Sequence, residues 1–343
     1  MKKLALAAVI SSVIAAAPAQ AAVMWDFNFT DVNTGFNDAA EGAARQGALE
    51  SAASYVSSFL TSYDATIYMD VDGSTSGGGT LAAAGTNFTN ASFSAGFNER
   101  GDVMTKILDG DAADPGVGIA DGTVTWNFTD FIWELGTDFQ ANEFDFFSTA
   151  VHELLHAIGF SSEITQDGND GYASSNPGEA GAWSPFDEFL TSFDGTKIID
   201  PTSFELMQSA WDMASVSNDG NGTSGCGAGL LFSGANAVAA NGGNAVQIYS
   251  PNPWEDGSSG SHLDDNCYTN PGNVSTYMME AQTIDGLGVR TISALEEAMM
   301  RDIGYTNFGV QANNTVPEPG TIYLMLGALL GLFGLKRQNS KVA

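Results

Sequence analysis

Two of the chain's three histidines stand four residues apart, in Ser148-Thr-Ala-Val-His-Glu-Leu-Leu-His-Ala-Ile-Gly-Phe160. On a helix, positions i and i+4 share a face. His152 and His156 can therefore bind one metal ion, and zinc (Zn2+) is the ion that best suits such a pair. Glu153, beside the first histidine, stands where a general base would take a proton from metal-bound water. A plain core helix would rarely bury His and Glu side by side without partners. The stretch predicts a helix over residues 142–158, ended by Gly159 in the left-handed conformation.

Composition narrows what such a helix can serve. The 343 residues allow one large or two modest domains. Against 41 Asp and Glu stand 11 Lys and Arg, a formal charge of -30. Five of the cations lie at the two ends, so the body holds Arg45, Arg100, Lys106, Lys197, Arg290 and Arg301. Such a field repels nucleic acid and anionic lipid, so no nucleic-acid partner is expected. The acidity fits a solvated surface, with calcium (Ca2+) a further candidate ion. Residues 1–21 read as a secretory signal: Lys2-Lys3, an apolar run, and an A-x-A pattern closing at Ala21. For an exported chain the two cysteines, Cys226 and Cys267, read as one disulfide or as two buried thiols.

The pattern between the ends is α+β. Residues 25–30 and 65–71 alternate like strands, and the Ala-rich stretch 35–63 between them has helical spacing. Residues 81–100 read as partly loop, 102–109 as a short helix, and 122–135 as strand-like. Beyond the motif the chain is rich in loops. It shows a small hairpin over 183–199, a helix within 204–215, and a strand, helical turn and strand over 230–251. A closing helix over 291–304 has Ser293 as N-cap, Glu296 completing a capping box, and Gly304 at its end.

A rigid break at Val316-Pro-Glu-Pro-Gly320 isolates the C-terminus. Residues 321–335 carry no charge, and Lys336-Arg337 follow. A full membrane span needs about 20 residues, so this segment is short for one by length alone. The break, the apolar run and the basic tail over 316–338 resemble the PEP-CTERM sorting signal of Gram-negative bacteria. The resemblance implies an exosortase-type sorting enzyme as partner and association with extracellular polysaccharide. It further implies transient anchoring in the inner membrane before display at the surface or release. A plain C-terminal membrane anchor is the alternative.

Two histidines leave a catalytic zinc site incomplete, since three protein ligands plus water is the usual set. Compact metzincins continue H-E-x-x-H-x-x-G-x-x-H, but here the last position is Ser162, and hydroxyl is a poor zinc ligand. The remaining histidine is His262, in Gly257-Ser-Ser-Gly-Ser-His-Leu-Asp264. An acidic third ligand is the rival, with Glu179 or Glu188 available. The run His152 to Phe160, the distant His262 and a later Tyr277-Met-Met-Glu280 resemble a leishmanolysin-like metzincin. That resemblance implies zinc held by His152, His156 and His262, and Met279 as floor of a Met-turn, with Met278 the runner-up. It implies a twisted mixed sheet with the active-site helix in an upper subdomain, residues 22–161. An inserted region and an irregular lower subdomain with a C-terminal helix would occupy 162–310. The function expected is an exported zinc metalloendopeptidase, in which Glu153 is the general base and the substrate is a protein or peptide. The alternatives are a surface or biofilm-matrix protein with a non-catalytic zinc site, and a zinc hydrolase of a non-peptide bond.

Overall fold

The computed structural model describes residues 22–310, apart from 75–76, 90–92, 115, 117, 172–177, 216–227 and 269–274. The signal at 1–21, Cys226 and the sorting segment at 316–338 lie outside the described residues. Residues 22–310 form one compact unit, with the expected 161/162 boundary inside it.

Alternation builds the first sheet. Strand β1 (Val23–Phe29) runs parallel to β2 (Ala65–Asp72), and helix α1 (Gly42–Ser57) connects them. Along β2, Ala65, Ile67, Met69 and Val71 are at most 2% exposed. The intervening residues face outward, as the two-residue period of a strand requires. On α1, Leu49, Ala52, Ala53 and Val56 recur at helical spacing and are buried. Strand β3 (Ala82–Thr86), helix α2 (Asp102–Asp109) and strand β4 (Gly122–Trp126) follow. The sheet order is β1-β2-β4-β3, with β4 parallel to β2 and β3 antiparallel to β4. Strand β3 is thus an edge. It forms where residues 81–100 read as partly loop. Ala82-Ala-Ala-Gly-Thr86 has little intrinsic strand preference, and pairing with β4 imposes the conformation.

The strand-like run 122–135 divides into β4 and a short β5 (Ile132–Glu134), which pairs in parallel with β6 (Glu143–Asp145). Because residues 143–145 are used in that pairing, α3 starts later than its periodicity suggests and spans Phe146–Ala157. Aromatic packing joins α3 to the sheet: the rings of Trp126 and Phe146 lie 4.2 Å apart, those of Trp126 and Trp133 4.8 Å. Full burial of a side chain such as Phe146 contributes roughly 1.5–3 kcal/mol.

Asp145 caps α3 by accepting the Ser148 N–H at 3.2 Å. Its carboxylate also accepts the Gly288 N–H at 3.1 Å and two Arg290 donors, Nε at 2.6 Å and Nη2 at 2.7 Å. The cap of α3 and the 286–290 segment therefore share one buried carboxylate. Asp145→Ala removes a cap and strands a partly buried guanidinium. The expected loss is about 3 kcal/mol, measured by urea unfolding of the metal-free protein.

The second half holds a three-stranded antiparallel sheet in the order β7-β8-β9, from β7 (Leu190–Ser192), β8 (Leu230–Phe232) and β9 (Val246–Ile248). Around it lie α4 (Gln208–Ala214), α5 (Ala235–Ala240), α6 (Asp265–Tyr268) and α7 (Ala294–Asp302). The capping box of α7 forms as its sequence predicts, and Gly304 adopts a φ of 129° beyond its end. Tyr305 ties the closing segment to the end of α3 by donating its hydroxyl to the Ile158 carbonyl at 2.8 Å. The whole is a mixed α+β architecture.

Candidate metal centre

The structure brings all three histidines together. The Nε2 atoms of His152 and His156 are 3.1 Å apart, those of His152 and His262 3.0 Å, and those of His156 and His262 2.9 Å. Among the described residues, only these three form a group of His, Cys, Asp or Glu side chains whose ligand atoms all lie within 4.8 Å of one another.

Each ring's other nitrogen faces a backbone carbonyl at 2.7 Å: His152 Nδ1 meets Met278 O, His156 Nδ1 meets Phe160 O, and His262 Nδ1 meets Ser258 O. A carbonyl only accepts, so each Nδ1 carries the proton and donates it. In the neutral ring each Nε2 is then a bare acceptor. Burial, the largest cause for all three, pushes their pKa values down, that of His262 to about 3. Three unprotonated nitrogens thus converge with no hydrogen between them, an arrangement that repels itself and suits a shared cation. Three neutral imidazoles, each with its Nδ1–H on a fixed acceptor, are the donor set and support expected of a zinc site.

Local sequence explains each placement. Gly159, with a φ of 106°, ends α3 in a Schellman turn: Phe160 N–H donates to Leu155 O at 3.0 Å. That turn brings the Phe160 carbonyl back to His156. His262 lies on a strand-like segment beside the extension of β9. Tyr249 N–H donates to His262 O and Gly260 N–H to Tyr249 O, each at 2.8 Å. Ser162, the position where a compact metzincin has its third histidine, donates its N–H to Ser261 Oγ at 3.1 Å. The place of a local ligand is thus filled by the segment that carries the distant one. Beneath this turn, Asp187 is fully buried and accepts from the N–H (3.0 Å) and hydroxyl (2.8 Å) of Ser184. Its pKa is raised to about 6 by burial.

Glu153 lines the same cleft and is 8% exposed. Burial pushes its carboxyl up to about 8, partly offset by a hydrogen bond from the Ala84 backbone. The cleft encloses about 730 Å³. Edge strand β3 forms one wall and the 255–262 and 275–283 segments others. Glu99, Glu163, Glu255, Asp256 and Glu280 also line it, against one cation, Arg100. The acidic rivals for the third ligand, Glu179 and Glu188, are exposed and line no part of the cleft. Of the two methionines, Met278 lines the cleft, whereas Met279 is completely buried. Cys267 is disulfide-bonded.

Sequence reasoning missed several parts of this site. Edge strand β3 has an Ala-Gly composition that signals nothing. The orienting acceptors are main-chain carbonyls, which any residue supplies. Asp187 is one of many acidic residues, and nothing in its local sequence marks it as buried.

The comparisons with known proteins bear on the C-terminus. Residues 315–338 match the PEP-CTERM protein-sorting motif. No curated protein and no solved structure matches the chain. Among the described residues no helix is long and apolar enough to cross a membrane. The matched motif marks an exported protein with a C-terminal anchoring signal of the kind recognised by an exosortase-type sorting enzyme.

Proposed function

We propose that the protein is an exported zinc-dependent endopeptidase of the leishmanolysin-like metzincin kind. His152, His156 and His262 hold the metal and Glu153 is the general base. The observation that carries this reading is the convergence of three bare Nε2 atoms, 2.9–3.1 Å apart, in the cleft that Glu153 lines. When bound, zinc supplies Lewis acidity, which lowers the pKa of water and polarises a carbonyl.

The chain's own residues do the rest. Met278, Phe160 and Ser258 hold the imidazoles in one tautomer through their carbonyls. Glu153, held ionised against the effect of burial by the charge of a bound cation, would take a proton from the attacking water and pass it to the leaving amine. An extended peptide can add to the unpaired edge of β3, as strands add to sheet edges, which lays its backbone across the cleft. That edge favours a peptide substrate over a non-peptide one. It also favours an enzyme over a matrix protein with a relic site. The acidic lining disfavours acidic peptides. The sorting motif supports an exported protein, and on this reading the protein would act at the cell surface or in a polysaccharide matrix.

The test uses the exported chain loaded with one equivalent of zinc and a pool of unstructured peptides. Cleavage should appear, cease on chelation and return with zinc. In low salt, basic peptides should be cut faster than acidic ones. A metal-loaded protein that cuts no peptide, or one whose cutting survives chelation, contradicts the reading.

A further inference from the structure

Glu296 is completely enclosed, a rare state for a glutamate unless its oxygens are engaged. One oxygen serves α7. Oε2 accepts the Ser293 N–H at 2.7 Å, and Ser293 Oγ accepts the Glu296 N–H at 3.2 Å, which completes the capping box. The other oxygen leaves the helix. Oε1 accepts the Met279 N–H at 2.7 Å.

The same two residues hold both histidine-bearing segments through their carbonyls. The Met278 carbonyl accepts from His152 Nδ1–H at 2.7 Å. The Met279 carbonyl accepts from the N–H of Leu263, next to His262, at 2.7 Å. The turn at Met278 and Met279 thus joins His152 to the His262 segment, and one carboxylate grips the Met279 N–H from behind.

We propose that Glu296 is a positioning residue of the metal centre, which sets His152 and the His262 segment in their converging places by clamping the peptide group that joins Met278 to Met279. The inference rests on the metal-centre reading. It gives this residue a second task that a helix cap alone does not need. A cap requires one oxygen facing Ser293, whereas the clamp requires the other facing the turn.

The test compares Glu296→Gln with Ser293→Ala, using metal binding rather than catalysis as readout. Glutamine keeps the size but loses the charge and one acceptor. Zinc affinity of Glu296→Gln, measured by competition with a chromophoric chelator, should fall about 10–100-fold, the range for loss of a group that orients a ligand. The visible absorption of the cobalt-substituted variant should shift, because it reports ligand geometry. Ser293→Ala, which removes only the cap hydroxyl, should lower the thermal midpoint and keep wild-type affinity and spectrum. Glu296→Gln with wild-type affinity and spectrum overturns the clamp.

Hydrogen exchange of the wild-type protein keeps the inference testable if that variant does not fold. In the chelated protein the Met279 amide should already be protected. Exchange at the rate of an open loop until zinc is added would mean that the metal orders the turn, and the clamp would be wrong. A wild-type protein that binds no zinc removes the metal-centre reading as well. Wild-type binding with an unaffected variant removes the clamp alone.

Discussion

Glu153→Ala should lose at least about 1,000-fold in kcat/KM towards peptides, within the range general acid–base catalysis contributes, and keep its full complement of zinc. Two features separate the effects. The carboxylate lines the cleft, yet it is no member of the converging nitrogen set, so the ligands survive its removal. It is also the one carboxylate on α3, so no neighbour on that helix can replace it. Steady-state kinetics with metal analysis on the same sample checks both halves. A variant that turns over at the wild-type rate removes Glu153 from the mechanism. One that loses zinc as well would make it a structural support rather than a base.

His262→Ala should weaken zinc binding by more than roughly 100-fold, since losing a ligand exceeds the cost of losing a group that merely orients one. His152 and His156 remain as a two-nitrogen pair on α3, short of the three protein ligands a catalytic zinc usually has. Peptide cleavage should then stay depressed even in excess zinc, because the remaining geometry is wrong as well as weak. The fold should survive. The segment around His262 is held independently of the imidazole, by its pairing with Tyr249 and by the Leu263–Met279 hydrogen bond. Circular dichroism of the chelated variant, matched to chelated wild type, checks that the loss is local.

What the sequence makes legible follows from where the information is stored. The shared face of His152 and His156 on α3 was readable because i, i+4 spacing is a geometric statement in itself. His262 was readable because the chain has three histidines and two were already placed. The α7 capping box was readable because Ser293 and Glu296 stand at the required interval. The helix start was not: Glu143 to Asp145 fit the helical period but are used in pairing β6 with β5. Strand β3 was not either, since its conformation comes from β4 rather than from Ala82-Ala-Ala-Gly-Thr86. The carbonyls of Phe160, Ser258 and Met278 orient the site through the backbone, which carries no residue identity. Glu296 shows both cases at once: its cap is written locally, and its grip on Met279 spans 17 positions that only the fold brings together.

On the proposed reading three histidines, one of them far along the chain, share one metal ion. Equilibrium titration of zinc into chelated wild type and chelated His262→Ala tests it most directly. The wild type should show one tight site per chain, and the variant none of comparable affinity. Equal stoichiometry and affinity in the two proteins would contradict it.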